Sequence, residues 1–302
     1  MTYRFITYEL LDDATIARIT LNRPDKRNAQ NRGMLVELDQ AFCTAEADDG
    51  VRVVILAGAG HDFSAGHDLG SAEHRAERNP GPDQHPAYQS RGGTLAGSER
   101  RYHQEWHYYL ESTRRWRKLR KVTVAQVQGN VISAGLMLMW ACDLVVAAES
   151  AAFADLVGVR LGMAGVEYFA HPWEFGPRKA KELLLTGGTL SAAEARQIGM
   201  VNTVVPDAEL TESTLALARR IAALPTATSL FVKDSVNQAV DAMGFGASLD
   251  ASFSIHQLNH AYWAEISGGK THVGTAEFGL DVWAPPGDRK DSSVAATDEK
   301  RS

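Results

Sequence analysis

One stretch of the sequence, residues 122–147, most constrains what this chain can fold into. A β-rich apolar run breaks at Gly129, passes through the small residues Ser133, Ala134 and Gly135, and continues as an apolar segment. This order predicts a strand, a tight turn and a buried helix. Small residues at the turn let a ligand approach the backbone, and the free N–H groups at a helix start favour negative charge. The turn is therefore a candidate for one half of an oxyanion hole.

A second loop of small residues lies upstream, at residues 58–69. It follows a β-rich apolar run at residues 51–57 and is punctuated by Gly58, Gly60 and Gly66. If a bound carbonyl became an enolate or a tetrahedral oxyanion, one N–H from each of the two loops would stabilise the oxygen.

Composition excludes several classes of protein. The chain has 302 residues with 44% hydrophobic content, which is ample for a core, and its net charge of −6 gives no reason to expect nucleic acid binding. Cys43 and Cys142 form no metal or redox spacing, so we expect buried free thiols. No secretory signal opens the chain, and no apolar run reaches the ~18 residues of a membrane span. We therefore expect a soluble cytoplasmic protein with no membrane segment.

Strand and helix patterns alternate through the first two thirds of the chain, which favours a layered α/β fold. A hairpin is predicted within residues 5–21, a long loop or lid within 71–97, and a capping box at Ser191 and Glu194. The later helices are predicted at residues 209–224, 228–240 and 248–263. The predicted division is a core at 1–206 with an inserted loop and helix at about 71–120, a C-terminal helical region at 207–284 that packs on a partner subunit, and a disordered tail at 285–302.

Four segments together resemble the crotonase, or enoyl-CoA hydratase/isomerase, family. They are LNRPDKRNA at residues 21–29, FSAGHDL at 63–69, VQGNVISAGLMLMWACDLVVAAESAAF at 127–153 and LLLTGGTLSAAEARQIGMVNTVVP at 183–206. The resemblance runs from about residue 16 to residue 279. It implies a spiral core of repeated ββα units, a C-terminal helical trimerisation region, and a homotrimer or a dimer of trimers. It also implies an acyl-CoA substrate, with no metal and no cofactor besides the coenzyme A of that substrate.

The resemblance also implies roles for particular residues. Carried over by position, the two N–H groups that hold the thioester oxygen belong to His67 and Ala134. The adenine end of coenzyme A would lie against the backbone near Ala65 and Leu69. It would also approach the loop of Lys26 and Arg27, whose positive side chains suit phosphates.

The sequence departs from the family pattern at both catalytic glutamates. One position is occupied by Met137, which then counts among the residues expected to contact substrate, and the other by Val157 or Gly158. Adding water to an enoyl thioester needs a base for the water and an acid for the α-carbon. A methionine and a valine supply neither, so the usual two-glutamate hydration is not expected.

Two other acids are candidates to replace the missing glutamates. Asp155 could reach the pocket or could instead cap a helix or loop. Glu167 could face the pocket or form a structural salt bridge. The imidazole of His67 could lean toward coenzyme A or cap the next helix.

Weaker patterns leave further readings open. His103 and His107 have the spacing of a zinc pair, although no third ligand is apparent and an aromatic amphipathic face explains the segment as well. The segments around Ser64 and Ser133 resemble a nucleophile elbow without its first glycine, as in an esterase. The glycines from residue 58 lack the third glycine of a dinucleotide site.

The leading hypothesis is an acyl-CoA enzyme acting through an enolate. The alternatives are an acyl-CoA isomerase or hydrolase using a non-standard acid, or a coenzyme A binding protein without hydratase activity.

Overall fold

The computed structural model describes residues 2–78 and 97–266. Its strands are β1 (Ile6–Leu11), β2 (Ile16–Leu21), β3 (Val53–Gly58), β4 (Val122–Val127), β5 (Asn130–Ile132), β6 (Leu144–Ala148), β7 (Ala152–Ala154), β8 (Leu190–Ser191) and β9 (Thr203–Val205). β1 and β2 form the predicted hairpin, with Leu11 opposite Ile16. β3, β4, β6 and β9 continue that sheet in parallel, in the order β1-β2-β3-β4-β6-β9, and β5, β7 and β8 form a second, three-stranded sheet.

Helices alternate with these strands through the core and then follow one another. They are α1 (Arg32–Ala47), α2 (Ala72–Arg78), α3 (Gly97–Glu105), α4 (Ser112–Arg117), α5 (Ala134–Trp140), α6 (Val157–Leu161), α7 (His171–Glu174), α8 (Pro177–Thr186), α9 (Ala192–Gln197), α10 (Leu210–Ala222), α11 (Thr226–Ala242) and α12 (Phe245–Ile266). A π-helical turn, Trp106–Glu111, joins α3 to α4. The predicted capping box is present, because Ser191 Oγ accepts a hydrogen bond from the Glu194 N–H and the Glu194 carboxylate accepts one from the Ser191 N–H.

The parallel strands are covered on both faces, which explains why they read as continuous apolar runs. One face packs in the large core cluster with α1 and α5. On the other face, Ile55 and Val124 of the sheet pack with Leu210 and Ala218 of α10. α10 therefore belongs to the layers of the core. Packing of the C-terminal helical region on a partner subunit stays a prediction.

The last two helices end close to their predicted limits, and they carry many exposed apolar side chains. Phe231 of α11 and Leu258 of α12 are 67% and 68% exposed. Within residues 2–78 and 97–266, no single helix has the length and hydropathy of a membrane span. Residues 207–222 and 226–242 reach the length and hydropathy of a span only when they are counted together across a 104° bend, by length and composition alone.

Some predictions differ from the structure or lie beyond it. Part of the loop predicted at residues 71–97 is helical, as α2, because Ser71 Oγ caps its first turn and the buried Glu77 carboxylate ties it to the start of α1. The rest of that loop, the end of the helical region and the predicted tail lie outside the described residues. Cys43 is exposed and Cys142 half-buried, so the prediction of buried thiols is wrong for Cys43, which occupies the solvent side of α1.

Candidate active site

The two small-residue loops lie side by side in the structure. Ser64 pairs with Val131 as in a parallel sheet: the Ser64 N–H donates to the Asn130 carbonyl (3.1 Å), and the Ile132 N–H donates to the Ser64 carbonyl (2.9 Å). These bonds fix the register of one loop against the other, as the sequence analysis expected.

Glycines allow the two loops to approach this closely. Gly66 has a φ of +90°, and a Cβ there would lie 2.8 Å from the Ile132 carbonyl oxygen and 3.3 Å from the Ala134 nitrogen. A Cβ on Gly135 would lie 2.6 Å from the Ser64 carbonyl oxygen. Neither position has room for a side chain, so both glycines are required by close contact.

The N–H groups of His67 and Ala134 are free donors. The backbone of Gln30 pairs with the edge of the first loop. Its N–H donates to the Gly66 carbonyl (2.8 Å), and its carbonyl accepts from the Asp68 N–H (3.0 Å). The N–H of His67, which lies between these two bonds, therefore points away from Gln30. Ala134 is the first residue of α5, where an N–H has no partner inside the helix. Within residues 2–78 and 97–266, neither N–H makes a hydrogen bond.

Ser133 holds the turn between β5 and α5 in place. Its φ of +48° is uncommon for a residue with a side chain. Its N–H donates to the Ala154 carbonyl (2.8 Å), and its Oγ accepts from the Leu156 N–H (3.1 Å). Ser64 Oγ donates to the Asn28 carbonyl (2.9 Å). Ser64 Oγ also accepts from Gln30 Nε2 (3.0 Å), and the Ser133 side chain also hydrogen-bonds Asp155. Among the described residues neither hydroxyl hydrogen-bonds a histidine, which argues against the esterase reading.

A cavity of about 430 Å³ opens beside the loops. Ala65, Leu69 and Ser133 line it, and so does Val157, one of the two positions where a family glutamate was expected. Met137 is buried in the core of α5 and is not among the residues that line the cavity, so the structure gives its predicted contact with substrate no support. The wall at Val157 is apolar.

Glu167 is the cavity carboxylate that pairs with the side chain of His67. It lines the cavity, and its Oε2 lies 3.1 Å from Nε2 of His67, whose ring stacks on Tyr109 with centroids 3.8 Å apart. Its Oε1 lies 3.7 Å from Nε2 of His256. Burial alone would raise the pKa of this carboxyl, but the charge and hydrogen bond of His67, and then the charge of His256, outweigh burial and lower the pKa. Glu167 is therefore an ionised, buried carboxylate that both faces the pocket and forms an ion pair.

The sequence left open that the imidazole of His67 caps the following helix, but in the structure it does not. Ser71 does so instead, since its Oγ accepts from the His74 N–H (3.1 Å). The Asp68 carboxylate accepts from the N–H groups of Gly70 (3.2 Å) and Ser71 (2.9 Å), just before the helix. The His67 ring is drawn away from that helix because Glu167 and Tyr109 bind it on the cavity side.

Asp155 lies outside the cavity wall, at 1% exposure. Its Oδ1 accepts from the Val157 N–H (3.0 Å), and its Oδ2 accepts from the Val166 N–H (3.1 Å) and lies 2.8 Å from His171 Nε2. Burial would raise its pKa, but the hydrogen bond and charge of His171 lower it. Both oxygens of Asp155 hold the segment that follows β7, which supports the capping alternative. An acid–base role for Asp155 stays a prediction that its geometry does not favour.

Basic side chains lie near one side of the cavity. Arg160 lines the cavity, and partial burial lowers the pKa of its guanidinium. The charge of the neighbouring Arg27 lowers that pKa further. Arg27 Nε donates to Asp62 Oδ2 (2.6 Å) while its side chain stays 57% exposed. Lys26 pairs with Asp25 at the surface (3.4 Å). A contact of Lys26 and Arg27 with coenzyme A stays a prediction, to which the structure adds Arg160.

The sequence analysis missed three residues of the cavity wall: Glu105, His256 and His260. Glu105 ends α3, and the two histidines lie one turn apart on α12. The sequence did contain a pattern that could have identified the histidines, because His256 and His260 have the same four-residue spacing as His103 and His107. His103 is exposed in the structure. Pairing with Glu105 could not be inferred, because the partners lie about 150 residues apart in the chain.

The comparisons with known proteins agree with this architecture. The family model described as enoyl-CoA hydratase/isomerase matches residues 12–91 and 85–261. A relative from Mycobacterium tuberculosis, named "Putative enoyl-CoA hydratase EchA13", is 64% identical over 281 residues, which cover 93% of this chain and 88% of the relative. The crystal structure of a "probable enoyl-CoA hydratase" from Mycobacterium smegmatis has a TM-score of 0.77 at 43% identity and covers 87% of this chain and 98% of that one.

A second solved structure, an enoyl-CoA hydratase/isomerase from Xanthobacter autotrophicus, has a TM-score of 0.75 at 31% identity and covers 94% of this chain and all of that one. These neighbours confirm the α/β crotonase fold and the C-terminal helices expected from the sequence. Since both the sequence and the fold match over most of the chain, this protein belongs to the enoyl-CoA hydratase/isomerase, or crotonase, family.

Proposed function

We propose that this chain is an acyl-CoA enzyme that forms a thioester enolate, stabilised by the N–H groups of His67 and Ala134. Members of this family bind acyl-CoA substrates. The observation that carries the proposal is the pair of unbonded N–H groups on two loops that the Ser64 pairing holds together. Fixed donors aimed at a developing oxyanion contribute about 10²–10³ in rate each.

Glu167 is the group we assign to proton transfer. It is ionised and lines the cavity, and it is bonded to the imidazole of the same residue that supplies one of the two N–H donors. The other acids on the wall are engaged differently. Glu77 accepts from the N–H groups of Arg32 and Gly33 at the start of α1, and Glu105 accepts from Gln257 Nε2 (2.7 Å).

A single carboxylate of this kind suits movement of a double bond better than addition of water. In an isomerisation, the carboxylate takes a proton from the α-carbon, the electron pair passes to the thioester oxygen as the enolate, and the proton returns to the γ-carbon. The substrate keeps all its atoms, and one acid–base group is sufficient. Hydration needs a second group to activate water, and neither Val157 nor Met137 supplies one. We therefore favour double-bond isomerisation.

The test is mass spectrometry of products after the purified protein is incubated with unsaturated and 3-oxo acyl-CoAs in heavy-oxygen water. Isomerisation predicts a shifted double bond at unchanged mass, and Glu167→Gln should abolish it. Incorporation of one heavy oxygen with coenzyme A retained would replace isomerisation by hydration, and released coenzyme A would replace it by hydrolysis. Tight acyl-CoA binding with no turnover of any substrate would leave only the binding function.

The exposed apolar residues of α11 and α12 support a further part of this proposal, namely that the chain assembles as a homotrimer or a dimer of trimers. Phe231 and Leu258 lie among several large apolar side chains that water would otherwise cover. Light scattering on the purified protein should give three or six times the chain mass of 32.9 kDa. Replacing both residues by lysine should lower that mass, and a wild-type protein that remains a monomer at micromolar concentration would refute the assembly.

A further inference from the structure

Three potential metal ligands converge on the cavity wall. Glu105 Oε1 lies 3.1 Å from His260 Nε2, and Glu105 Oε2 lies 3.7 Å from His256 Nε2. One ligand atom from each of the three residues can be chosen so that all lie within 4.8 Å of one another. The histidines are four residues apart on α12, which is the spacing that lets two imidazoles of one helix face share a metal ion.

Hydrogen bonds on the outer side of the cluster orient these ligands. His256 Nδ1 lies 2.9 Å from the Gly165 carbonyl oxygen, and because a carbonyl only accepts, Nδ1 carries a proton and Nε2 is the nitrogen that faces the cluster. Gln257 Nε2 donates to Glu105 Oε2 (2.7 Å) and fixes the carboxylate. Metal sites use partners of this kind to hold the tautomer and orientation of their ligands.

The inward-facing nitrogens have no hydrogen bond of their own. Nε2 of His256 and Nε2 of His260 are both buried, and among the described residues neither has a hydrogen-bond partner, although His260 Nε2 is close to the Glu105 carboxylate. His256 is only 4% exposed. A buried imidazole nitrogen without a partner is costly, and a bound cation would satisfy both nitrogens at once.

We infer that Glu105, His256 and His260 bind a divalent transition metal ion, with Zn²⁺ as the ion that fits best. Two imidazoles and one carboxylate form a Zn²⁺ ligand set, whereas Ca²⁺ and Mg²⁺ prefer oxygen ligands alone. Ligands about 2.0–2.2 Å from a tetrahedral ion lie roughly 3.4 Å from one another. The observed separations are close to that value, 3.1 Å from His260 Nε2 to Glu105 Oε1 and 3.7 Å from His256 Nε2 to Glu105 Oε2.

Such an ion would have two consequences for the molecule. It would tie the inserted segment that contains α3 to the C-terminal helix α12, and so stabilise the folded chain by mass action. With three protein ligands on the cavity wall, it would also keep a fourth position open for a water or substrate oxygen. The site is independent of the proposed enolate chemistry, since binding of Zn²⁺ needs no acyl-CoA.

Calorimetric titration of the chelator-treated full-length protein with Zn²⁺, in the absence of acyl-CoA, tests the inference. We expect one ion per chain, and His260→Ala should weaken binding by at least about 100-fold, because loss of an outer partner alone costs 10–100-fold. His103→Ala is the matched control, since His103 is an exposed histidine on the same helix as Glu105. This variant should bind Zn²⁺ with the affinity of wild type.

Two further measurements keep the test decisive if His260→Ala folds poorly. Glu105→Gln preserves the shape of the side chain and should weaken binding in the same way. A hundredfold excess of Zn²⁺ over Kd should raise the Tm of wild type by roughly 5 °C and leave that of Glu105→Gln unchanged. Equal Zn²⁺ affinity in wild type, His260→Ala and Glu105→Gln would overturn the inference and leave the cluster as an ion-pair network. Neither readout requires acyl-CoA, so a failure of this inference and a failure of the proposed enolate chemistry are distinguishable.

Discussion

The cavity has two walls that are built in different ways. The backbone wall, residues 64–67 and 131–135, presents main-chain N–H groups whose positions follow from turns and glycine contacts. The side-chain wall, made of Glu105, Glu167, His256 and His260, presents carboxylates and imidazoles from segments far apart in the chain. The backbone wall depends on local conformation, and the side-chain wall depends on tertiary packing.

This difference teaches which part of the chemistry the fold determines. Stabilising an enolate oxygen requires only N–H groups, so any residue with the right backbone conformation can serve. Moving protons or binding ions requires particular side chains, so this wall can change while the fold stays the same. The loss of both family glutamates beside an intact pair of loops is consistent with that division.

On the backbone wall, the largest effect is expected from closing the space between the loops. Gly66→Ala places a Cβ 2.8 Å from the Ile132 carbonyl oxygen at a positive φ, so the loop must shift and the His67 N–H with it. We expect kcat/KM to fall by about 10²–10³, the cost of one lost donor. Gly70→Ala is the control, because nothing lies within 4 Å of the added Cβ. A loss below threefold for Gly66→Ala would mean that the loop contact does not position the donor.

Replacement of the buried Asp155 is expected to lower the stability of the fold. Asp155→Asn breaks a buried pair with His171 and turns an amide N–H₂ toward backbone donors, so the free energy of unfolding should fall by about 3 kcal/mol. Urea unfolding measures this, with Asp234→Asn, in an exposed pair with Arg120, as a control that changes little. A loss of kcat above a hundredfold with full stability would return Asp155 to the catalytic candidates.

The smallest effect is expected at the basic side of the cavity. Arg160→Ala removes a cation near Arg27 and should raise the KM for acyl-CoA about tenfold with kcat unchanged, because a charge-assisted bond to a phosphate is worth roughly 1.5–3 kcal/mol and is partly screened here. Steady-state kinetics at two salt concentrations measures it, and the exposed Arg178→Ala serves as the control. An unchanged KM would place the phosphates elsewhere.

The same contrast explains what the sequence could predict. Strands β1 to β4 and β9, the capping box at Ser191 and the two loops depend on nearby residues, and patterns of nearby residues identified them. Strands β5 to β8 were not predicted, because they have only two to five residues each. Met137 was named from its position in the family pattern, and the structure buries it in α5. Glu167 and His67 lie 100 residues apart, and only tertiary packing brings them together.

Proton exchange in D₂O tests the central claim most directly, because it reports enolate formation whatever the net reaction. Wild type bound to a saturated or unsaturated acyl-CoA should exchange the α-proton, and mass spectrometry counts the deuterium. Glu167→Gln should slow exchange by about 10²–10⁴ while the Kd for acyl-CoA stays within threefold, since it removes the base and keeps the shape of the side chain. The exposed Glu182→Gln should exchange as wild type does. Exchange at the wild-type rate in Glu167→Gln would contradict the account.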